Sequence, residues 1–384
     1  MPYNVLMLLG FKTELKINSS QLRLLAKHVG TARHAWNWGL ALIKQILDHN
    51  RVNPENKIKF PSAIDLHKWL VALVKPENPW YYEVSKCAPQ SALRNLATAF
   101  KDFFDKKRGF PKFKKKGQHD SFTLDGTIVL EKKRIKVPVI GWIRTHERLP
   151  FGIKPKSVTI SRTANRWFIS FKNETGTKST LKTVDVVGVD LGVKNLTTLS
   201  TGETFEGAKS YRKAEKRLKR LQTNVSRRVK GSANRKKAGM KLASLHARIA
   251  NIRKDTLHKL TTYLAKNHGK IVIEDLNVKG MMANRKLAKA IGDMGFYEFR
   301  RQLEYKCGLY GAELVVVDRF YPSSKACSKC GNVKDLLKLS ERVYNCDACG
   351  FEIDRDLNAA INLSLYAGSS PVSACGRGAA DSPG

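Results

Sequence analysis

The sequence lacks two things at once. No apolar run approaches the ~18 residues that a bilayer-spanning helix needs, and acids are scarce, with 33 Asp and Glu against 70 Lys and Arg for a net charge of +37. The first absence excludes a helical membrane span. The second makes the chain repel itself unless a polyanion is a regular partner, and nucleic acid is the default because each neutralised phosphate also releases a counterion. An anionic membrane surface would need an amphipathic anchor or a lipidation signal, and neither is present. The opening MPYNVLMLLGFK has no basic n-region and no small-residue cleavage site, so it reads as a strand and not as a signal peptide. Cysteine is also sparse. Four of the seven sit in two C-x-x-C pairs, which points to a reducing compartment and a metal, while Cys87, Cys307 and Cys375 have no paired spacing and read as ordinary thiols.

What is present is enough for folded domains. A hydrophobic content of 42 % over 384 residues supports two or three cores. Residues 5–17 alternate as a strand, after which Ser19 or Ser20 caps a helix through Leu22, Leu25, Val29, Trp36 and Leu40. Arg51–Pro61 breaks the pattern, and a second helix begins near Pro89 with Leu93, Leu96, Phe100 and Phe103 on one stripe. KKRGFPKFKKK (Lys106–Lys116) follows, where Phe110 and Phe113 interleave with cations in the manner of a nucleic-acid contact, and Lys112, Lys114 and Lys115 are candidate contacts. From Ser121 to Asn173 short alternating strands take over. With residues 5–17 they predict a small β-barrel with a helical insertion, ending at a boundary near Thr175–Thr183.

The second half opens on Val186–Ser200, VVGVDLGVKNLTTLS. Val187, Val189 and Leu191 alternate with Gly188, Asp190 and Gly192, so the acid lies on the face opposite the aliphatics. A buried carboxylate there is costly unless a cation meets it. Residues 209–269 read as helix, turn, helix, broken at Gly231-Ser232, with a seam of Leu242, Leu245, Ile249, Ile252 and Leu260. Between Tyr211 and Leu260 stand 17 Lys or Arg and only two acids, too unbalanced for a plain coiled coil. This makes Arg227, Arg228, Lys230, Arg235 and Lys236 candidate phosphate contacts. KIVIEDLN (Lys270–Asn277) repeats the opening logic with Glu274 and Asp275, GAELVVVDRF carries Asp318, and DRDLNAAIN offers Asp354 or Asp356 at a helix start. Acids on a first strand, a fourth strand and a final helix suit two-metal phosphodiester hydrolysis, in which carboxylates bind two Mg²⁺ roughly 4 Å apart. CSKC-x15-CDAC, with Cys327, Cys330, Cys346 and Cys349, has the spacing of a closed four-thiolate structural zinc.

The order of GTARHAWNWGL, GFPKFKKK, GVDLGVKN, KGSANRKK, HKLTTYL, IEDLNVKGM, RQLEYKCGLYG, YPSSKACSKCG and DRDLNAAINL resembles the TnpB family, transposon-encoded RNA-guided nucleases related to type V CRISPR effectors. The resemblance implies an α+β multidomain fold. It would comprise an RNase H-like (RuvC) mixed α/β nuclease domain (184–322 and 353–367), a zinc-ribbon insertion (323–352), a wedge β-barrel (1–17 and 119–180) and a helical recognition insertion (18–118). A disordered tail (368–384) would follow. It further implies Asp190, Glu274 and Asp356 as catalytic, Mg²⁺-binding acids, leaving Asp354 as the helix cap. Its partners would be a guide RNA from the transposon end and double-stranded target DNA next to a short flanking motif, with one site cutting both strands and the protein monomeric in a ribonucleoprotein. The location implied is the prokaryotic cytoplasm, at the nucleoid. A guide-dependent regulator that never cuts is the alternative, and the presence of all three acids counts against it.

Overall fold

The structure, a computed structural model, describes residues 7–338 and 341–368. The predicted tail beyond residue 368, with Cys375, lies outside them. By its internal contacts the chain divides into one unit of residues 8–175 and another of residues 1–7 with 176–384.

The unit of residues 8–175 is built on one sheet. Strand β1 (Met7–Lys16) leads into α1 (Ser19–Val52), α2 (Ala63–Trp69) and α3 (Cys87–Phe104). The chain then returns as β2 (Ser121–Asp125), β3 (Val129–Glu131), β4 (Arg134–Val137), β5 (Gly141–Thr145), β6 (Ser157–Thr163) and β7 (Arg166–Thr175). The seven strands run in the order β2-β6-β7-β1-β5-β4-β3, so the helices are inserted between two strands of one sheet. A single core joins Leu25, Leu40, Leu93 and Phe100 of the helices to Leu124, Ile143 and Ile169 of the strands. Asn18, not Ser19 or Ser20, caps α1. Its side chain accepts from Gln21 N at 2.8 Å while Gln21 Oε1 accepts from Asn18 N at 3.1 Å, a reciprocal box that a serine one residue later cannot close.

In the other unit the second sheet has the order β10-β9-β8-β11-β12. It contains β8 (Val184–Leu191), β9 (Thr197–Leu199), β10 (Thr204–Phe205), β11 (His268–Glu274) and β12 (Glu313–Val317). The strands β8, β11 and β12 are parallel; β9 pairs antiparallel with both β8 and β10, so it alone runs against the other four. Parallel neighbours need long crossovers. These are α4 (Ser210–Ser226) with α5 (Ala233–Asn267), then α6 (Val278–Ala283), α7 (Ala288–Met294) and α8 (Phe296–Tyr310). One sheet face buries Val187, Val189, Ile271 and Ile273 against Leu260, Leu264, Phe299 and Leu303. The other buries Val272 and Val317 against Leu363 of the last helix, α9 (Arg355–Gly368). Apolar residues on both faces explain why these strands read as continuous β-branched runs. The two remaining strands, β13 (Val343–Asn345) and β14 (Glu352–Asp354), pair with each other just before α9.

The hairpin of α4 and α5 has its own small core of Leu218, Leu245 and Ile249. Ile252, assigned to that seam from the sequence, is 42 % exposed, and Leu260 belongs to the main core instead. The seam is shorter because α4 covers only the first part of α5, whose later turns pack on α8 and the sheet. Buried Asp293 caps α4 from a distance, accepting from Tyr211 N at 2.9 Å and Arg212 N at 3.1 Å.

Candidate functional site

β8 and β11 run side by side with Gly188 opposite Val272 and Val189 opposite Ile273. The next pair in that register is Asp190 and Glu274. Strand alternation puts both on the face of Gly188 and Val272, against α9 and away from the aliphatic core. Gly188 decides how close α9 can come. A Cβ there would lie 1.9 Å from the Ala360 carbonyl oxygen and 2.6 Å from Ser364 N. The helix backbone therefore rests directly on the strand, and Asp356, one turn before Ala360, is carried to the strand ends.

The three acids meet as interacting charges. Burial first, then the charges of Asp356 and Glu274, push the Asp190 carboxyl up to about 7. Burial, followed by the neighbouring Asp275, also raises Glu274. Arg355 opposes the effect on Asp190 and contacts Asp356 Oδ1 at 3.5 Å. The other candidate acids have different work. Asp354 Oδ1 accepts from Asp356 N at 2.9 Å and Leu357 N at 3.1 Å, which makes it the cap of α9. Asp275 is held by Arg319 and Arg300, whose hydrogen bonds lower its pKa. Asp318 accepts from Phe320 N at 2.8 Å within its own loop. Hard oxygen donors, two of them raised by burial and by neighbouring carboxylates, are the ligand type that Mg²⁺ prefers.

Cys327, Cys330, Cys346 and Cys349 converge with all four sulfurs within 4.8 Å of one another. No other group of three or more ligand-type side chains among the described residues, the three acids included, draws together as closely. The Sγ–Sγ separations of 3.8 Å for Cys327–Cys349 and 3.5 Å for Cys330–Cys346 are too long for disulfides and right for thiolates around one ion. Each knuckle closes with a glycine at positive φ, Gly331 at 78° and Gly350 at 66°, whose N–H donates to the carbonyl of Cys327 or Cys346. The backbone N–H of Cys349 leads in bringing the Cys346 thiol down to about 6, toward the ligating form.

Sequence reasoning missed the device that ties this ribbon to the acids. Asn358 and Asn362 are buried on one face of α9. Asn358 donates to Ala326 O at 2.7 Å and accepts from Ser328 N at 3.0 Å, while Asn362 donates to the carbonyls of Ser323 and Ala326 at 2.7 Å each. The ribbon thus fixes the helix that carries Asp356. Two asparagines four apart on an otherwise apolar helix were the available signal.

The basic candidates divide into exposed side chains and ones committed to the fold. Arg227, Arg228, Lys230 and Lys236 are exposed at the α4–α5 turn. Arg235 instead spans that turn, donating to Val225 O at 2.9 Å and Arg228 O at 2.8 Å. In the other unit, Lys112 and Lys115 are exposed, but Lys114 lies over the Trp36 ring at 3.9 Å and burial lowers its pKa. Phe110 packs edge-on against Phe100 and Phe103 at 5.4 and 5.2 Å yet stays 37 % exposed, and Phe113 is 49 % exposed.

Residues 168–285 match the family profile described as "Probable transposase" (OrfB_IS605), and residues 296–363 match one described as "Cas12f1-like, TNB domain". A third, described as "Helix-turn-helix domain", matches residues 7–51, which here form one strand and one unbroken helix. A protein of Streptomyces pristinaespiralis described as "Putative RNA-guided DNA endonuclease" is 45 % identical over 77 % of this chain and 74 % of its own. The InsQ protein of Escherichia coli (strain K12), described in the same words, is 36 % identical over 96 % of this chain and 94 % of its own. Among solved structures, the mini-RNA-guided endonuclease CRISPR-Cas_phi3 shares the fold with a TM-score of 0.52 at 9 % identity, covering 94 % of this chain and 92 % of that one.

Proposed function

Since the chain belongs to the TnpB family, the OrfB transposases of IS605-type elements, we propose that it is an RNA-guided DNA endonuclease that cuts both strands of a target at one site. The observation that carries this reading is the meeting of Asp190, Glu274 and Asp356 from two parallel strands and a helix, under a glycine that lets the helix touch the sheet. A five-stranded sheet in which β9 alone runs against the other four, with carboxylates at the ends of its central strands, is the arrangement of an RNase H-type nuclease. On this reading residues 184–322 and 353–367 are the RuvC-like domain, 323–352 the zinc ribbon, 1–17 and 119–180 the wedge, and 18–118 the recognition insertion.

Asp190, Glu274 and Asp356 would hold two Mg²⁺, which when bound acidify the attacking water and neutralise charge developing on the phosphate. The chain's own contribution is to bring the three acids to the ends of two strands and a helix, with Asp190 and Glu274 drawn from water enough to raise both, where a cation would offset their charge. Arg355, against Asp356, limits the repulsion meanwhile. The four cysteines would take one zinc with no open position, fixing α9 through Asn358 and Asn362. The exposed cations of the α4–α5 hairpin would bind guide RNA, and the partner DNA would pair with that guide beside a flanking motif.

The test is programmed cleavage by purified protein loaded with its guide RNA. Asp190→Ala and Asp356→Asn should abolish Mg²⁺-dependent cutting while guide binding persists. Asp354→Asn, which keeps the cap, should still cut. Full cutting by Asp190→Ala, or equal cutting without guide, would overturn the reading.

A further inference from the structure

A cleft of about 390 Å³ opens beside Glu274, with Asn277, Lys279, Tyr297, Arg300 and Arg319 among its walls. The residue after Glu274, Asp275, accepts from Arg300 Nη1 at 2.5 Å and from Arg319 Nη2. Arg300 Nε also meets Glu304 at 3.2 Å. Three separate elements thus converge on one carboxylate: the end of β11, the first turns of α8 and the loop after β12. A purely structural clasp is the competing account. The pairs are poor candidates for that, because the two arginines are 39 % and 45 % exposed and solvated pairs of this kind contribute little to stability. One carboxylate between two guanidinium groups instead fixes their orientation and leaves each with donors to spare, since an arginine carries several N–H groups in a planar fork. Such forks match a phosphate, and these two line the cleft that contains a proposed catalytic acid. Tyr297, 71 % exposed on the same wall, offers a ring to a base.

We propose that Arg300 and Arg319 grip a backbone phosphate of the DNA strand next to the linkage being cut, and that Asp275 is the positioning residue that holds both. The inference rests on the endonuclease reading and assigns that site its grip on the substrate.

The experiment uses the full protein with guide RNA and measures single-turnover cutting of target DNA, normal or carrying one uncharged methylphosphonate linkage walked across the positions flanking the cut. Arg300→Gln and Arg319→Gln should slow cutting of normal DNA by roughly 10- to 100-fold, with guide affinity and melting temperature unchanged. At the gripped position the neutral linkage should slow the native protein by a similar factor and slow the two variants little further. Arg319→Lys, which keeps the charge without the fork, should fall between, and it remains informative if a glutamine variant folds poorly. Asp275→Asn should slow cutting with guide binding intact. Native rates in both glutamine variants, a neutral linkage whose effect multiplies with theirs, or loss of guide binding in step with activity would each overturn the grip while leaving the endonuclease reading in place. A native protein that makes no guide-dependent cut would overturn both.

Discussion

Gly188 shows what a single missing Cβ can govern. The atoms a methyl would strike are the Ala360 carbonyl oxygen and Ser364 N, both backbone, so no side-chain rotation relieves the clash. Gly188→Ala must push α9 off β8 and move Asp356 with it. We expect cutting to fall at least tenfold and the melting temperature to drop, consistent with an overpacking cost of about 1–3 kcal/mol, while guide RNA binding survives. Native cutting by this variant would sink the account of how α9 is seated. Asp190 was legible in the sequence because strand alternation separates it from the aliphatics. The need for glycine two residues earlier was not, because the helix that touches it lies far along the chain. Asp356 and Asp354 were likewise inseparable by spacing, since only the hydrogen bonds of the helix start tell cap from partner.

A second residue, on α8, sets part of the acid limb of stability. Glu298 sits in the first turn and takes two hydrogen bonds of 2.7 Å from Arg301, which bring its carboxyl from 4.5 down to about 2. A depressed acid gives stability that is present above its unfolded value and lost as pH falls through the folded one. Between pH 4.5 and about 2 the native protein should therefore lose more stability than Glu298→Gln. Solvent screening of the half-exposed pair limits the difference to below about 1 kcal/mol. Parallel acid denaturation of the two proteins, followed by near-UV circular dichroism, measures it, and superimposable curves would refute the assignment.

At the scale of elements, the ribbon and α9 form one device. Spacing alone revealed the four cysteines, and their convergence agrees with it. The sequence could not show that the ribbon is a brace for the nuclease helix, because that depends on Asn358 and Asn362 turning toward Ala326 and Ser323. Purified protein should contain about one zinc per chain. Stripping zinc with a chelator and restoring Mg²⁺ should leave cutting impaired and the melting temperature lowered, and re-added zinc should recover both. Replacing Asn358 by Ala orphans Ser328 N and leaves Ala326 O to Asn362 alone, at about 1–3 kcal/mol for such a buried loss. Zinc-free protein that melts and cuts normally would remove the brace. The helical insertion is the counter-example on legibility: Phe110 lay between cations in sequence, yet its neighbours in space are Phe100 and Phe103.

For the whole molecule the governing quantity is charge. An excess of 37 cations opposes compaction and is relieved only by a polyanion. The small separate core of the α4–α5 hairpin shows where some of that excess is displayed, because Leu218, Leu245 and Ile249 support a turn whose cations are exposed. Composition gave the sign and the partner class, but not which cations are exposed. Arg235 is spent on the carbonyls of Val225 and Arg228, and Lys114 on Trp36. Guide RNA affinity should fall linearly with salt on logarithmic axes, each neutralised phosphate adding about 0.7 to the slope for a single strand. Changing Arg227, Arg228, Lys230 and Lys236 together to Gln should lower that slope by roughly 2–3 and change the melting temperature little, because the one side-chain bond lost is the exposed contact of Arg228 with Asn224. Arg235→Gln should behave differently, lowering the melting temperature of the hairpin while removing at most one contact from the slope. If the fourfold variant kept the native slope, these cations would not face the RNA, and the phosphate-facing reading of the hairpin would fall.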